Sequence, residues 1–131
     1  MIKAVFLDLY GTLAQFHPSR EDVQAQACQS LGIQATHEGL SRGYTLADEY
    51  MEQENAGRVP LACRSGGERQ DFFARYEQLL LKGAGVEMDL ETAGRVWEQV
   101  QHIPYGMALF HDVLPALDML KLQGLTLGAV K

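Results

Sequence analysis

Four apolar residues run straight into an acid in "AVFLDLYGTLAQ", residues 4–15. An ionised carboxylate is costly to bury unpaired, so Asp8 belongs at the lip of a strand rather than inside it. Open α/β sheets bind ligands at the carboxyl ends of their strands. A carboxylate there can attack an electrophilic carbon or phosphorus and form a covalent ester. Gly11 lets the backbone turn tightly and approach a ligand. Thr12 offers a hydroxyl to hold Asp8 or the loop, and backbone N–H groups of the turn can bind a developing anion. The plainer alternative is an acid that only caps the turn after a strand.

That run must be positioned by a fold, and composition bounds which one. The chain has 131 residues, 47% hydrophobic and 21% charged, as expected for one globular domain or a domain with an insertion. A net charge of −6 is unsuited to nucleic acid or an anionic membrane, although one local site can still take a small anionic substrate. Cys28 and Cys63 belong to no CxxC pair or Cys/His cluster, so reduced thiols and a cytoplasmic location are expected. His17, His37, His102 and His111 lack metal-ligand spacing. The N-terminus reads as neither a signal peptide nor a membrane span.

Residues 3–8 read as a buried strand punctuated by Gly11. Ser19 can cap a first helix, with Glu21 and Asp22 in its first turn, Val23, Ala27 and Leu31 on its apolar face, and Gly32 as its stop. A second helix begins near Thr36, with the stripe Leu40, Tyr44, Ala47 and Met51. Residues 55–67 carry loop residues. A third helix covers about residues 67–82, with Phe72, Phe73, Tyr76, Leu79 and Leu80 inward. Asp89 caps a fourth, whose face is Leu90, Ala93, Trp97 and Val100. Asp112 is the expected N-cap of a fifth, with Pro115 in its first turn, Val113, Leu117 and Leu120 buried, and Gly124 as its stop. Residues 125–130 form a second apolar strand. The expected fold is therefore α/β but mostly helical. Two parallel strands form a partial core from residues 1–15 and 106–131, and residues 16–105 form an inserted four-helix bundle.

The strand ending in Asp8-Leu9-Tyr10-Gly11-Thr12-Leu13 resembles the first motif of the haloacid dehalogenase superfamily. A helical cap inserted after that strand is one of the family's arrangements. "LFHDVLPALDMLKLQGLTLGAV" is similar to the helix and strand that lead into the family's second motif. The resemblance implies a partial Rossmann-like core and a hydrolase with Asp8 as nucleophile. Its substrate-binding residues would be Leu9, Tyr10, Gly11 and Thr12. The family's phosphatases usually carry a second Asp two places after the nucleophile, as the proton donor to the leaving oxygen. Its 2-haloacid dehalogenases carry Tyr there, as Tyr10 stands here. Halide leaves without a proton, so the motif implies dehalogenase-like chemistry with no cofactor. The alternative is a phosphatase acting on a phosphate monoester, with Mg²⁺ held in part by Asp8.

The family's second motif normally has Ser or Thr after the second strand, where this chain has Lys131. Lys131 could supply a cation beside Asp8. The family's later Lys and final acidic motif have no counterpart, so the chain reads as the front part of such an enzyme. Two parallel strands leave unpaired edges, which predicts a homodimer or higher self-association. From a different class comes a catalytically inert interaction module.

Overall fold

Glycines and helix caps divide the middle of the chain into four helices. In the computed structural model, which describes residues 1–130, these are α1 (Arg20–Ser30), α2 (His37–Asn55), α3 (Gly66–Gly83) and α4 (Leu90–His102). Gly32 follows α1 at φ +71°, in the left-handed region that glycine enters without a steric penalty. Thr36 Oγ1 accepts from the Gly39 N–H at 3.0 Å. Asp89 Oδ1 accepts from the Thr92 N–H at 2.7 Å, and the Thr92 hydroxyl and then this N–H hold the carboxyl below its usual range. At α3, Ser65 and Glu68 form a reciprocal capping box. A 3₁₀ turn, Leu61–Cys63, lies between α2 and α3.

These helices form one compact unit, Arg20–Pro104. Its core joins Ala27 and Cys28 of α1, Leu40, Tyr44 and Ala47 of α2, Phe72, Tyr76, Leu80 and Leu81 of α3, and Val96 of α4. The α2 and α3 helices run antiparallel and in close contact. A Cβ on Gly43 would sit 2.0 Å from the Leu80 carbonyl oxygen, and one on Gly83 would sit 2.6 Å from Gly43 Cα. Farther along the pair, Tyr50 stacks on Phe72 at 5.1 Å, and Arg64 bridges to Glu54 at 2.8 Å.

Three inward faces differ from the apolar stripes. In α3, Glu77 and Leu81 are buried, whereas Leu79 is half-buried. In α4, Ala93 and Val96 are buried and Leu90 is exposed; Trp97 is half-buried, its ring stacked on Phe73 at 3.9 Å. In the fifth helix, α5 (Val113–Leu122), only Val113 is fully buried, with Leu117 and Leu120 half-buried. Asp112 makes no side-chain capping bond, because its own backbone is already helical (φ −93°, ψ −3°). Gly124 ends α5 at φ +79°, as the sequence predicts.

The second unit contains Met1–Ser19 and the chain from Tyr105 onward. Here β1 (Ala4–Asp8) pairs in parallel with the last strand, Thr126–Val130, in the register Ala4 with Thr126 through Asp8 with Val130. Two strands absent from the sequence reading, β2 (Ala14–His17) and β3 (Gly106–Leu109), form a separate antiparallel pair. The final strand is therefore β4. The fold is mixed α/β and mostly helical, with five α-helices and a parallel strand pair among the described residues. None of its described helices is long and apolar enough to cross a membrane.

The close helix crossing gives a two-sided test. Gly43→Ala should lower stability by about 2 kcal/mol or more in urea denaturation, because overpacking outweighs the helix-propensity gain of about 1 kcal/mol. Gly94→Ala should be neutral or stabilising, because its Cβ would meet only Ala74 Cβ, at 3.7 Å. Equal effects at the two positions would contradict the crossing.

Candidate functional site

The end of β1 assembles the site. Asp8 is the last residue of the strand, opposite Val130 in the parallel register. Leu9 continues the ladder for one bond, its N–H donating to the Val130 carbonyl at 3.1 Å. The chain then turns. The Leu9 carbonyl accepts from the N–H groups of Leu13 and Ala14, at 2.9 and 3.0 Å, and the Gly11 N–H donates to the Ala14 carbonyl at 2.8 Å. Gly11 has φ +77°, so a side chain at this position would be strained.

This turn brings Thr12 back to Asp8. Its hydroxyl donates to Asp8 Oδ2 at 3.3 Å, long for such a bond and therefore a loose restraint. Asp8 is exposed, and Oδ1 carries no hydrogen bond among the described residues. The expectation that turn amides can meet an anion narrows here. The Leu9 N–H is taken by the strand ladder and those of Gly11, Leu13 and Ala14 by the turn itself, whereas among the described residues no backbone bond takes those of Tyr10 and Thr12.

Tyr10 is half covered. Its ring lies 5.1 Å from Phe16, and Phe16 meets Tyr105 edge-on at 5.3 Å. The Tyr10 ring keeps 54% of its exposure, so one side packs and the other remains available. Phe16 and Tyr105 were not among the site residues expected from sequence. They reach Tyr10 through the β2–β3 pairing, in which Phe16 lies opposite Met107. Leu9 is half-buried beneath the turn. Lys131 lies outside the described residues.

Asp8 can therefore act as an accessible carboxylate nucleophile, with Thr12 on one oxygen and two amides nearby. A Mg²⁺ site needs several oxygen ligands, commonly more than one carboxylate or a carboxylate and substrate phosphate. No group of three or more His, Cys, Asp or Glu residues gathers among the described residues, so these side chains do not by themselves fit such an ion.

Three concave surfaces lie on the helical unit. A groove of about 590 Å³ is lined by Tyr50, Arg58, Arg64 and Asp71 among others. Slightly smaller ones, of about 530 and 510 Å³, lie beside Trp97 and beside Ile33. No residue of the Asp8 turn lines any of these three.

Replacing Thr12 by Ala should leave the fold intact and change stability by less than about 1 kcal/mol, since the lost bond is long and exposed. Thermal unfolding of the variant checks this; a larger loss would make Thr12 a structural brace of the turn. No family model matches the chain, and no curated protein matches its sequence.

Proposed function

We propose that the chain is a hydrolase of the haloacid dehalogenase type, acting on a small anionic substrate through an ester on Asp8. One observation carries this reading: the exposed Asp8 carboxylate at the end of a parallel strand has one oxygen loosely held by Thr12 and the other without a hydrogen bond among the described residues. In the first step, Oδ1 forms a bond to the substrate carbon as the carbon–halogen bond breaks and halide leaves. In the second, water adds at the Asp8 carboxyl carbon and the hydroxy product departs. One proton is released to solvent, and the carboxylate is restored. The Tyr10 and Thr12 amides supply donors for the substrate's own carboxylate. Tyr10 stands where a phosphatase of this type would carry its second acid, which favours halide over phosphate as the leaving group.

A second reading concerns assembly, and surface composition supports it. Phe6 is 74% exposed and Leu122 89% exposed, with Leu114, Met119 and Val130 also open to solvent. β1 and β4 pair only with each other. Their outer edges are uncharged apart from Asp8 and offer unpaired backbone groups. We infer self-association of this unit into a homodimer or larger species, with the inert interaction module as the limit in which no chemistry occurs.

Two measurements test these readings. A short 2-haloacid with halide detection should show turnover that falls by at least about 10³-fold in Asp8→Asn. An aryl phosphate with Mg²⁺ should turn over more slowly than the haloacid. Full activity in Asp8→Asn would overturn the nucleophile assignment, and preferential turnover of the phosphate would move the site to phosphatase chemistry. Light scattering over a concentration series should give a mass above that of one chain, lowered by Phe6→Lys. A monomer at every concentration would refute the association.

A further inference from the structure

Glu77 is the one buried carboxyl among the described residues of the helical unit. It lies on α3 among Leu80, Leu81 and Tyr76, with 1% of its surface exposed. Its Oε2 accepts one side-chain hydrogen bond, from Gln24 Nε2 on α1. Gln24 is also 1% exposed, and its Oε1 accepts from the Tyr44 hydroxyl of α2 at 3.4 Å. The Tyr44 hydroxyl shares that single hydrogen with the Arg20 carbonyl, at 3.1 Å. One polar chain thus ties α1 to both α2 and α3.

The apolar hold on α1 is slight. Its buried residues are Val23, Gln24, Ala27 and Cys28, so small side chains and one amide make up the whole inner face. Short apolar side chains yield little transfer energy, so the polar ties of α1, Gln24 to Glu77 and Arg20 to Asp48 among them, carry a large share of the docking.

Around this chain, α1 presents Arg20, Glu21 and Cys28, α2 presents Tyr44 and Asp48, and α3 presents Tyr76. The Arg20 guanidinium pairs with Asp48 at 2.8 Å and covers the Tyr44 ring at 4.1 Å. Asp48 in turn accepts from the Tyr76 hydroxyl at 2.7 Å. The one cation is thereby committed to Asp48, and the buried α4 residues are Ala93 and Val96. Among the described residues Glu77 therefore has an amide for a partner and no cation of its own.

We propose that α1 is a proton-latched helix: it docks while the Glu77 carboxyl is neutral and is released when that carboxyl ionises. Burial raises this group to about 8, opposed by the Gln24 bond. The sign follows from proton linkage. Between about pH 4.5 and pH 8 the docked form holds a proton that the released form gives up, so docking is strongest below this window and weakens through it.

Cys28 supplies the readout. It is fully buried, and burial followed by the Glu77 charge raises its thiol to about 11, so it is protected while α1 is docked. Cys63, which is exposed, is first replaced by Ser. Labelling of Cys28 by a soluble disulfide reagent is then compared between this chain and the same chain carrying Glu77→Gln. The comparison cancels the thiol's own pH dependence in the open form. The expected ratio of rates rises with pH by up to tenfold per unit and levels near pH 8. Gln24→Met, which removes a bond that favours ionisation, should move the levelling point to higher pH. A ratio constant with pH overturns the latch. So does labelling whose urea dependence equals that of global unfolding, since α1 would then have no opening of its own.

Discussion

The approach of α2 to α3 at Gly43 constrains the helical unit more than any other contact. With 2.0 Å between a hypothetical Cβ and the Leu80 carbonyl, no side chain fits there. The two helices therefore meet backbone to backbone at one end. Side chains of increasing size then separate them, through Ala47 and Tyr76 to the stacked Tyr50 and Phe72. This antiparallel pair forms the wall on which α1 and α4 lie. It also explains how Glu77 comes to be buried: it is one helical turn from Leu80 and Leu81, which the crossing draws inward.

The other unit is organised in the opposite way. Its strands form two separate pairs, and few of its apolar side chains are fully covered. The edge of the Phe6 ring comes against Gly128, where a Cβ would come within 2.8 Å of it, yet Phe6 remains largely exposed. Burial energy is therefore concentrated in the helices, whereas the chemically capable carboxylate stands on the sparsely covered strands. A reactive group at a strand end needs access, and Asp8 has it. The same exposure leaves apolar area uncovered beside the site, which connects the catalytic proposal to the proposal of self-association.

Local signals carried much of this into the sequence. Thr36 and Asp89 are short oxygen-bearing side chains before apolar periodicities, and both accept capping bonds. Gly32 and Gly124 take positive φ where helices must stop. The β1 and β4 strands are short β-prone runs bounded by turns, and they pair in parallel as read. What escaped is nonlocal. β2 and β3 are four residues each, too short for a visible period, and they find each other across the whole helical unit. No local signal marks Glu77 as buried, since its partner Gln24 is 53 positions away. Around Asp8, Gly11 and Thr12 were legible because their effects are local. The Phe16 and Tyr105 contacts to Tyr10 depended on the unseen strand pair.

The central chemical claim is that Asp8 itself becomes covalently bonded to the substrate. Turnover of a 2-haloacid in water enriched with oxygen-18, followed by mass analysis of the peptide containing Asp8, addresses it directly. Water that attacks an Asp8 ester at the carboxyl carbon leaves its oxygen in the side chain, so repeated turnover should add heavy oxygen to Asp8. Heavy oxygen found only in the hydroxy product, with the Asp8 peptide unlabelled, would mean that water displaces the halide directly and would contradict the account.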